Sequence, residues 1–127
     1  MSTDFYSGGG YLDKHPEWHV GEASWNAGNI LKILSRNKLQ PLSVCEIGCG
    51  AGEILNQLHS AMPEQVNFAG YEISPQAFEL AKTREKDRLK FLLNDISAIP
   101  DQQHVDLCMM IDVFEHVEDF YGFLRKA

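Results

Sequence analysis

Residues 44–54 read VCEIGCGAGEI, an apolar run that breaks into glycines at Gly48, Gly50 and Gly52, with Glu46 before them and Glu53 after them. Glycines after such a run let a ligand approach the backbone, since no Cβ stands in the way. Charge then narrows the ligand. A P-loop requires Lys followed by Ser or Thr after its last glycine, to hold phosphates and magnesium; Glu53-Ile54 stands there instead. The dinucleotide fingerprint GxGxxG sets a pyrophosphate on a helix N-terminus, where amide N–H groups and the helix dipole favour negative charge. Here the spacing is GxGxG, and Glu53 occupies the place of the third fingerprint glycine. Two carboxylates beside the loop compete with phosphate and suit a cation.

More chemistry-bearing residues follow at the ends of later apolar runs. Glu72 closes the run over 66–73, twenty residues beyond Gly52. A carboxylate there can accept both hydroxyls of a ribose, as in dinucleotide-binding sheets. Asp95 follows a third run in LLNDISAIP, where Asn-Asp is also common turn chemistry. After a fourth run comes IDVFEHVED, in which Asp112, Glu115 and His116 stand at i, i+3 and i+4 and can share one helical face. An imidazole titrates near neutral pH, so His116 is the candidate general base.

A ligand with a sulfonium, an ammonium, a ribose and an adenine, and no phosphate, is S-adenosylmethionine. The stretch from Glu46 to Gly52 resembles the first motif, (D/E)xGxGxG, of class I (Rossmann-like) S-adenosylmethionine-dependent methyltransferases, and Glu46, Gly48, Gly50 and Gly52 match every specified position. The resemblance spans residues 44–120 and is to the small-molecule methyltransferase type 11/12 domain families. It implies that Glu46, Gly48, Cys49, Gly50 and Gly52 line the cofactor, that Glu72 binds the ribose and that Ile73 lies against the adenine. It further implies that Asp95 accepts from the adenine amine, that Ile96 contacts the ring edge and that Asp112 faces the methionine part. Some methyltransferases of this fold use an ExxEH motif for a divalent metal. With Asp112 in the first place, the expectation is no metal, with Glu115 and His116 shaping the acceptor pocket or capping a helix. The implied reaction is methyl transfer to a small-molecule acceptor. An NAD-dependent oxidoreductase and a non-catalytic binding module remain as rivals.

The elements that must position these residues read as alternating helix and strand. Ala23, Ala27, Ile30, Leu31 and Leu34 fall on one helical face over 22–36. Strands are expected over 43–47, 66–73, 89–93 and 105–111. Ile54, Leu55, Leu58 and Met62 make a helical stripe that stops at Pro63, and Ser74-Pro75 starts another helix, with an N-cap residue before proline. A short helix is expected over 117–126. This order predicts an α/β fold, a Rossmann-like three-layer sandwich with a mostly parallel sheet and helices on both faces. Residues 1–40 read as a lid or helical segment, in which KHPEWHVGEASW brings Trp18 and Trp25 either over the cofactor or against the domain's side. Residues 41–127 read as the cofactor-binding domain. The apolar fourth strand has nothing after it to pair its outer side. The expectation is therefore the N-terminal half of a larger domain, with self-association through that edge as the alternative.

Composition bounds the partners. The 127 residues are 44% hydrophobic and 23% charged, which suits one globular domain. The net charge of −7, from 11 Lys+Arg against 18 Asp+Glu, argues against a nucleic-acid partner. No apolar run approaches the ~20 residues of a membrane span. The N-terminus lacks a signal-peptide pattern, so a cytoplasmic location is expected. The three cysteines have no CxxC spacing and read as reduced thiols.

Overall fold

The computed structural model describes residues 20–94 and 104–111. Asp95, Ile96, Asp112, Glu115, His116, the helix expected over 117–126 and most of the expected lid segment lie outside the described residues. A 3₁₀ turn at Val20–Glu22 leads into helix α1, Ala23–Arg36. Strand β1 (Ser43–Ile47), helix α2 (Glu53–Ala61), strand β2 (Asn67–Glu72), helix α3 (Pro75–Lys82) and strands β3 (Leu89–Leu93) and β4 (Leu107–Met110) follow.

The sheet order is β3-β2-β1-β4 and every neighbouring pair is parallel. In register, Cys45 lies between Ala69 of β2 and Cys108 of β4, and Glu46 between Gly70 and Met109. Parallel pairing puts the carboxyl ends of all four strands on one rim. Strand order reverses at β1, with β2 and β3 on one side and β4 on the other. The crevice at such a switch point is where open α/β sheets bind ligands.

Alternation along the strands builds the core. Val44, Phe68, Leu89, Phe91 and Met109 share a buried cluster with Ala27 of α1, Leu55 and Leu58 of α2 and Ala81 of α3. Leu55 and Leu58 are fully buried, one helical turn apart, as their spacing predicts. A second cluster holds Cys45 and Ile47 with Ala69, Tyr71, Cys108 and Met110, and draws no residue from the three described helices. Among the described residues the helical layer is therefore seen on one face of the sheet. Trp25 is 73% exposed on α1 and does not plug the side of the domain.

Local signals explain the turns that matter to the site. Ser74 caps α3 by accepting from the Ala77 N–H at 3.4 Å, with Pro75 in the first turn. Gly70 keeps β2 thin where two side chains cross it. A Cβ there would come within 2.7 Å of the Phe91 ring and 2.9 Å of the Cys49 sulfur.

Candidate functional site

The loop from Gly48 to Gly52 leaves the central strand at the carboxyl rim and turns directly into α2. Gly48, Gly50 and Gly52 have φ of 73°, 59° and 81°, a left-handed backbone that L side chains adopt only at a cost. Gly52 is doubly constrained, because a Cβ there would sit 2.5 Å from the Phe91 ring. The GxGxG spacing is thus a backbone requirement at this turn.

Strand β2 holds the loop in place. The N–H groups of Gly48 and Cys49 both donate to the Tyr71 carbonyl, at 2.8 and 3.1 Å. The Gly50 N–H donates to Oε1 of Glu72 at 2.8 Å. The other oxygen of Glu72, Oε2, accepts from the Ile73 and Ser74 N–H groups at 3.1 and 2.9 Å. Glu72 is buried, and burial pushes its carboxyl above the usual range while the N–H groups of Ser74, Gly50 and Ile73 pull it back. One side chain thereby ties the glycine loop to the turn that opens α3. A carboxylate offers about four lone-pair sites. Three are taken by backbone, and the remaining one, on Oε1, is left for a ligand hydroxyl.

Glu46 is the most unusual group of the rim. It is 2% exposed, and its Oε1 has no hydrogen-bond partner among the described residues. Burial, reinforced by the charge of Glu72, pushes its carboxyl well above the ordinary range. A buried acceptor left unpaired costs about 1–3 kcal/mol, so the position is unfavourable for the free fold and suited to a donor that arrives later. A cation at this oxygen would both satisfy it and favour its ionised form.

Glu53 plays a different part from the one its place in the sequence implies. Arg84 Nε donates to its Oε2 at 2.6 Å and Asn56 Nδ2 to its Oε1 at 3.1 Å. Burial raises the Glu53 carboxyl, but the bonds from Arg84 and Asn56 outweigh it and hold it below the ordinary value. Arg84 also donates to the carbonyls of Ala51 and Leu80, both at 3.2 Å. Glu53 is thus neutralised within the protein and pins the end of the loop to α3. Of the two loop carboxylates, Glu46 alone remains to attract a cation.

The structure brings together Glu46, Gly48, Cys49, Gly50, Gly52, Glu72 and Ile73 on one rim. The Cys49 side chain turns into the core against Gly70, so only its backbone is left for a ligand. Arg84 and Gly70 were not singled out from the sequence. Arg84 lies in the charged run TREKDR, whose alternating signs read as a solvated helix end, and Gly70 carries a signal only as an isolated glycine inside a strand.

Residues 39–127 match a methyltransferase domain family. The curated "Ubiquinone biosynthesis O-methyltransferase, mitochondrial" of Candida albicans is 32% identical over 83 residues, which take in 61% of this chain and 25% of that protein. The chain therefore spans about a quarter of the length of that relative. Among solved structures, the plantazolicin methyltransferase BpumL in complex with a triazolic desmethylPZN analog and SAH superposes with a TM-score of 0.69 at 17% identity, over 98% of this chain and 50% of that one. The StiE O-MT structure, residues 961–1257, superposes with a TM-score of 0.60 at 24% identity, over 68% of this chain and 32% of that one. These likenesses establish the Rossmann-like α/β fold.

Proposed function

The chain belongs to the methyltransferase domain family, and from that premise we propose that it binds S-adenosylmethionine at the Gly48–Gly52 rim and transfers the methyl group to a small-molecule acceptor. The observation that carries this reading is the buried, unpaired Oε1 of Glu46 beside a loop of three left-handed glycines. It fits a cationic, phosphate-free ligand and disfavours a pyrophosphate. S-adenosylmethionine, when bound, supplies a methyl group already activated on a sulfonium.

The chain's own residues then have to position and exclude. Glu46 accepts from the ligand's ammonium and carries the negative charge that matches it. Gly48, Gly50 and Gly52 let the ligand lie against the backbone. Glu72 takes one ribose hydroxyl at its remaining lone pair and holds Gly50 where the ligand meets it. Ile73 covers one face of the adenine, with Asp95 and Ile96 on the ring edge and Asp112 toward the methionine part. His116 is the group to take a proton from a hydroxyl acceptor. Since the leaving group is supplied ready-made, alignment of acceptor and methyl carbon accounts for most of the acceleration.

The curated relative is named an O-methyltransferase, which favours an oxygen acceptor. Self-association would use the outer edge of β4, which has no strand partner among the described residues. No helix among the described residues is long and apolar enough to cross a membrane. The test of function is transfer of radiolabelled methyl from S-adenosylmethionine to a panel of phenols, carboxylic acids and amines. Label in a phenol or acid product, lost in Glu46→Gln, supports the reading. No label in any acceptor, with the cofactor bound, makes the chain a non-catalytic binding module.

A further inference from the structure

Away from the glycine loop, the other face of the sheet carries a pair of thiols. Cys45 of β1 and Cys108 of β4 are register partners on adjacent parallel strands, so their side chains leave the sheet on the same face. Their sulfurs are 3.5 Å apart, with the Cys45 thiol donating to Cys108. Cys45 is buried and Cys108 half-buried, and Tyr71, Met110, Ile47 and Ala69 pack around them. Neighbouring strands lie about 4.7–4.9 Å apart, within the ~4.4–6.8 Å between Cα atoms that a disulfide spans. Closing the contact requires about 1.5 Å of movement between the sulfurs.

We propose that Cys45 and Cys108 are a reversible thiol–disulfide pair that ties β1 to β4, the two strands flanking the point where strand order reverses. The assignment of roles follows from exposure and from the contact. Cys108 is the more exposed of the two and meets the oxidant, with the Cys45 contact lowering its thiol below the ordinary value. Cys108 is thus the nucleophile and the buried Cys45 the resolving thiol. The oxidant is a hydroperoxide. The Cys108 thiolate attacks one peroxide oxygen, an S–O bond forms, the O–O bond breaks, and the other oxygen leaves as water after taking a proton. Cys45 sulfur then attacks Cys108 sulfur, the S–O bond breaks, and the second water leaves with the Cys45 proton. Two thiols and one hydrogen peroxide become one disulfide and two waters. A dithiol reverses the change by exchange.

The third cysteine is a built-in control. Cys49 is buried against Gly70, and burial pushes its thiol well above the ordinary value. The reaction is independent of the cofactor reading, so its failure leaves that reading untouched. Its test is titration of free thiols in the folded chain before and after hydrogen peroxide, with removal of the reagent. The expected count falls from three to one and returns to three with dithiothreitol. Trypsin leaves Cys45 and Cys49 in one peptide, so tandem mass spectrometry, together with the Cys49→Ala variant, assigns the linkage. An intramolecular Cys45–Cys108 bond that also forms in Cys49→Ala supports the proposal. Three thiols surviving peroxide, a bond that uses Cys49, or only bonds between molecules would overturn it.

Discussion

Replacing Glu72 by alanine tests stability and ligand binding at once, and the structure sets both magnitudes. The side chain accepts three backbone N–H groups, from Gly50, Ile73 and Ser74, at 2.8–3.1 Å. Hydrogen bonds to a charged group contribute about 1.5–3 kcal/mol each, so simple addition over the three gives about 4.5–9 kcal/mol. Two effects reduce that sum. Burial already disfavours the charged carboxylate, and removing it relieves that penalty. Water entering the vacated space satisfies part of what is lost. We therefore expect Glu72→Ala to destabilise the fold by about 2–4 kcal/mol, from a total of roughly 5–15 kcal/mol. Urea unfolding should show a lower midpoint with an unchanged slope. Glu72→Gln separates the contributions. Its single amide oxygen can serve either the Gly50 N–H or the Ile73 and Ser74 pair, and its amide group meets a donor on the other side, so it should fall between parent and alanine variant. In conditions where each protein is folded, both variants should bind S-adenosylhomocysteine at least ~10-fold more weakly, since one good hydrogen bond is worth about 1.4 kcal/mol. An alanine variant within 0.5 kcal/mol of the parent would show that Glu72 does not hold the loop. Unchanged affinity would show that it does not meet the ribose.

Other perturbations probe the remaining contacts. Glu46→Gln removes a carboxyl that burial and Glu72 push well above the ordinary range, so it should stabilise the free fold at neutral pH by on the order of 1 kcal/mol while weakening S-adenosylhomocysteine; a variant that is both less stable and tighter-binding would reverse the assigned role. The pH dependence has a definite sign. With its folded value raised, Glu46 contributes its full stability to the free fold below pH 4.5 and loses it as pH rises from there through the raised folded value. Cofactor binding to the ionised form should instead strengthen over the same rise, and calorimetry in buffers of different ionisation enthalpy should detect a proton released on binding in the parent and none in Glu46→Gln. Arg84→Ala leaves Glu53 and the Ala51 carbonyl short of a donor, at about 1–3 kcal/mol of stability. Because Glu53 is held below its ordinary value, its contribution is present above pH 4.5 and lost as pH falls through the folded value; an unfolding series in acid should show that loss in the parent and not in the variant. Gly52→Ala forces a left-handed φ and a Cβ against Phe91, and thermal unfolding should report about 2–4 kcal/mol of destabilisation.

What the sequence made legible was what local chemistry decides. The apolar runs of β1 and β3 lie at the residues expected, and Ser74-Pro75 starts α3 because cap and proline act within one turn. Strands β2 and β4 are shorter than their apolar runs, since pairing stops where a neighbour ends. The three glycines were readable as a turn, but the reason for Gly52 in particular is the Phe91 ring, 39 residues away. Partnerships across the fold were not readable. Glu53 looked like a second attraction for a cation until Arg84, 31 residues on, proved to neutralise it. The three amide groups turned toward Glu72 were not readable either, because they come together only when the loop and the turn before α3 meet at the end of β2. The cysteines read as reduced thiols, and the contact of Cys45 with Cys108, which spans 63 residues and depends on strand order, was not legible. Asp95, Ile96, Asp112 and His116 rest on motif order alone.

The most direct test of the central claim is calorimetric titration of the chain with S-adenosylhomocysteine and, separately, with NAD at neutral pH. Saturable one-to-one binding of S-adenosylhomocysteine, with no heat from NAD, is the result expected of a loop whose available charge is Glu46. Binding of NAD with no response to S-adenosylhomocysteine, or no binding of either by the folded chain, would contradict it.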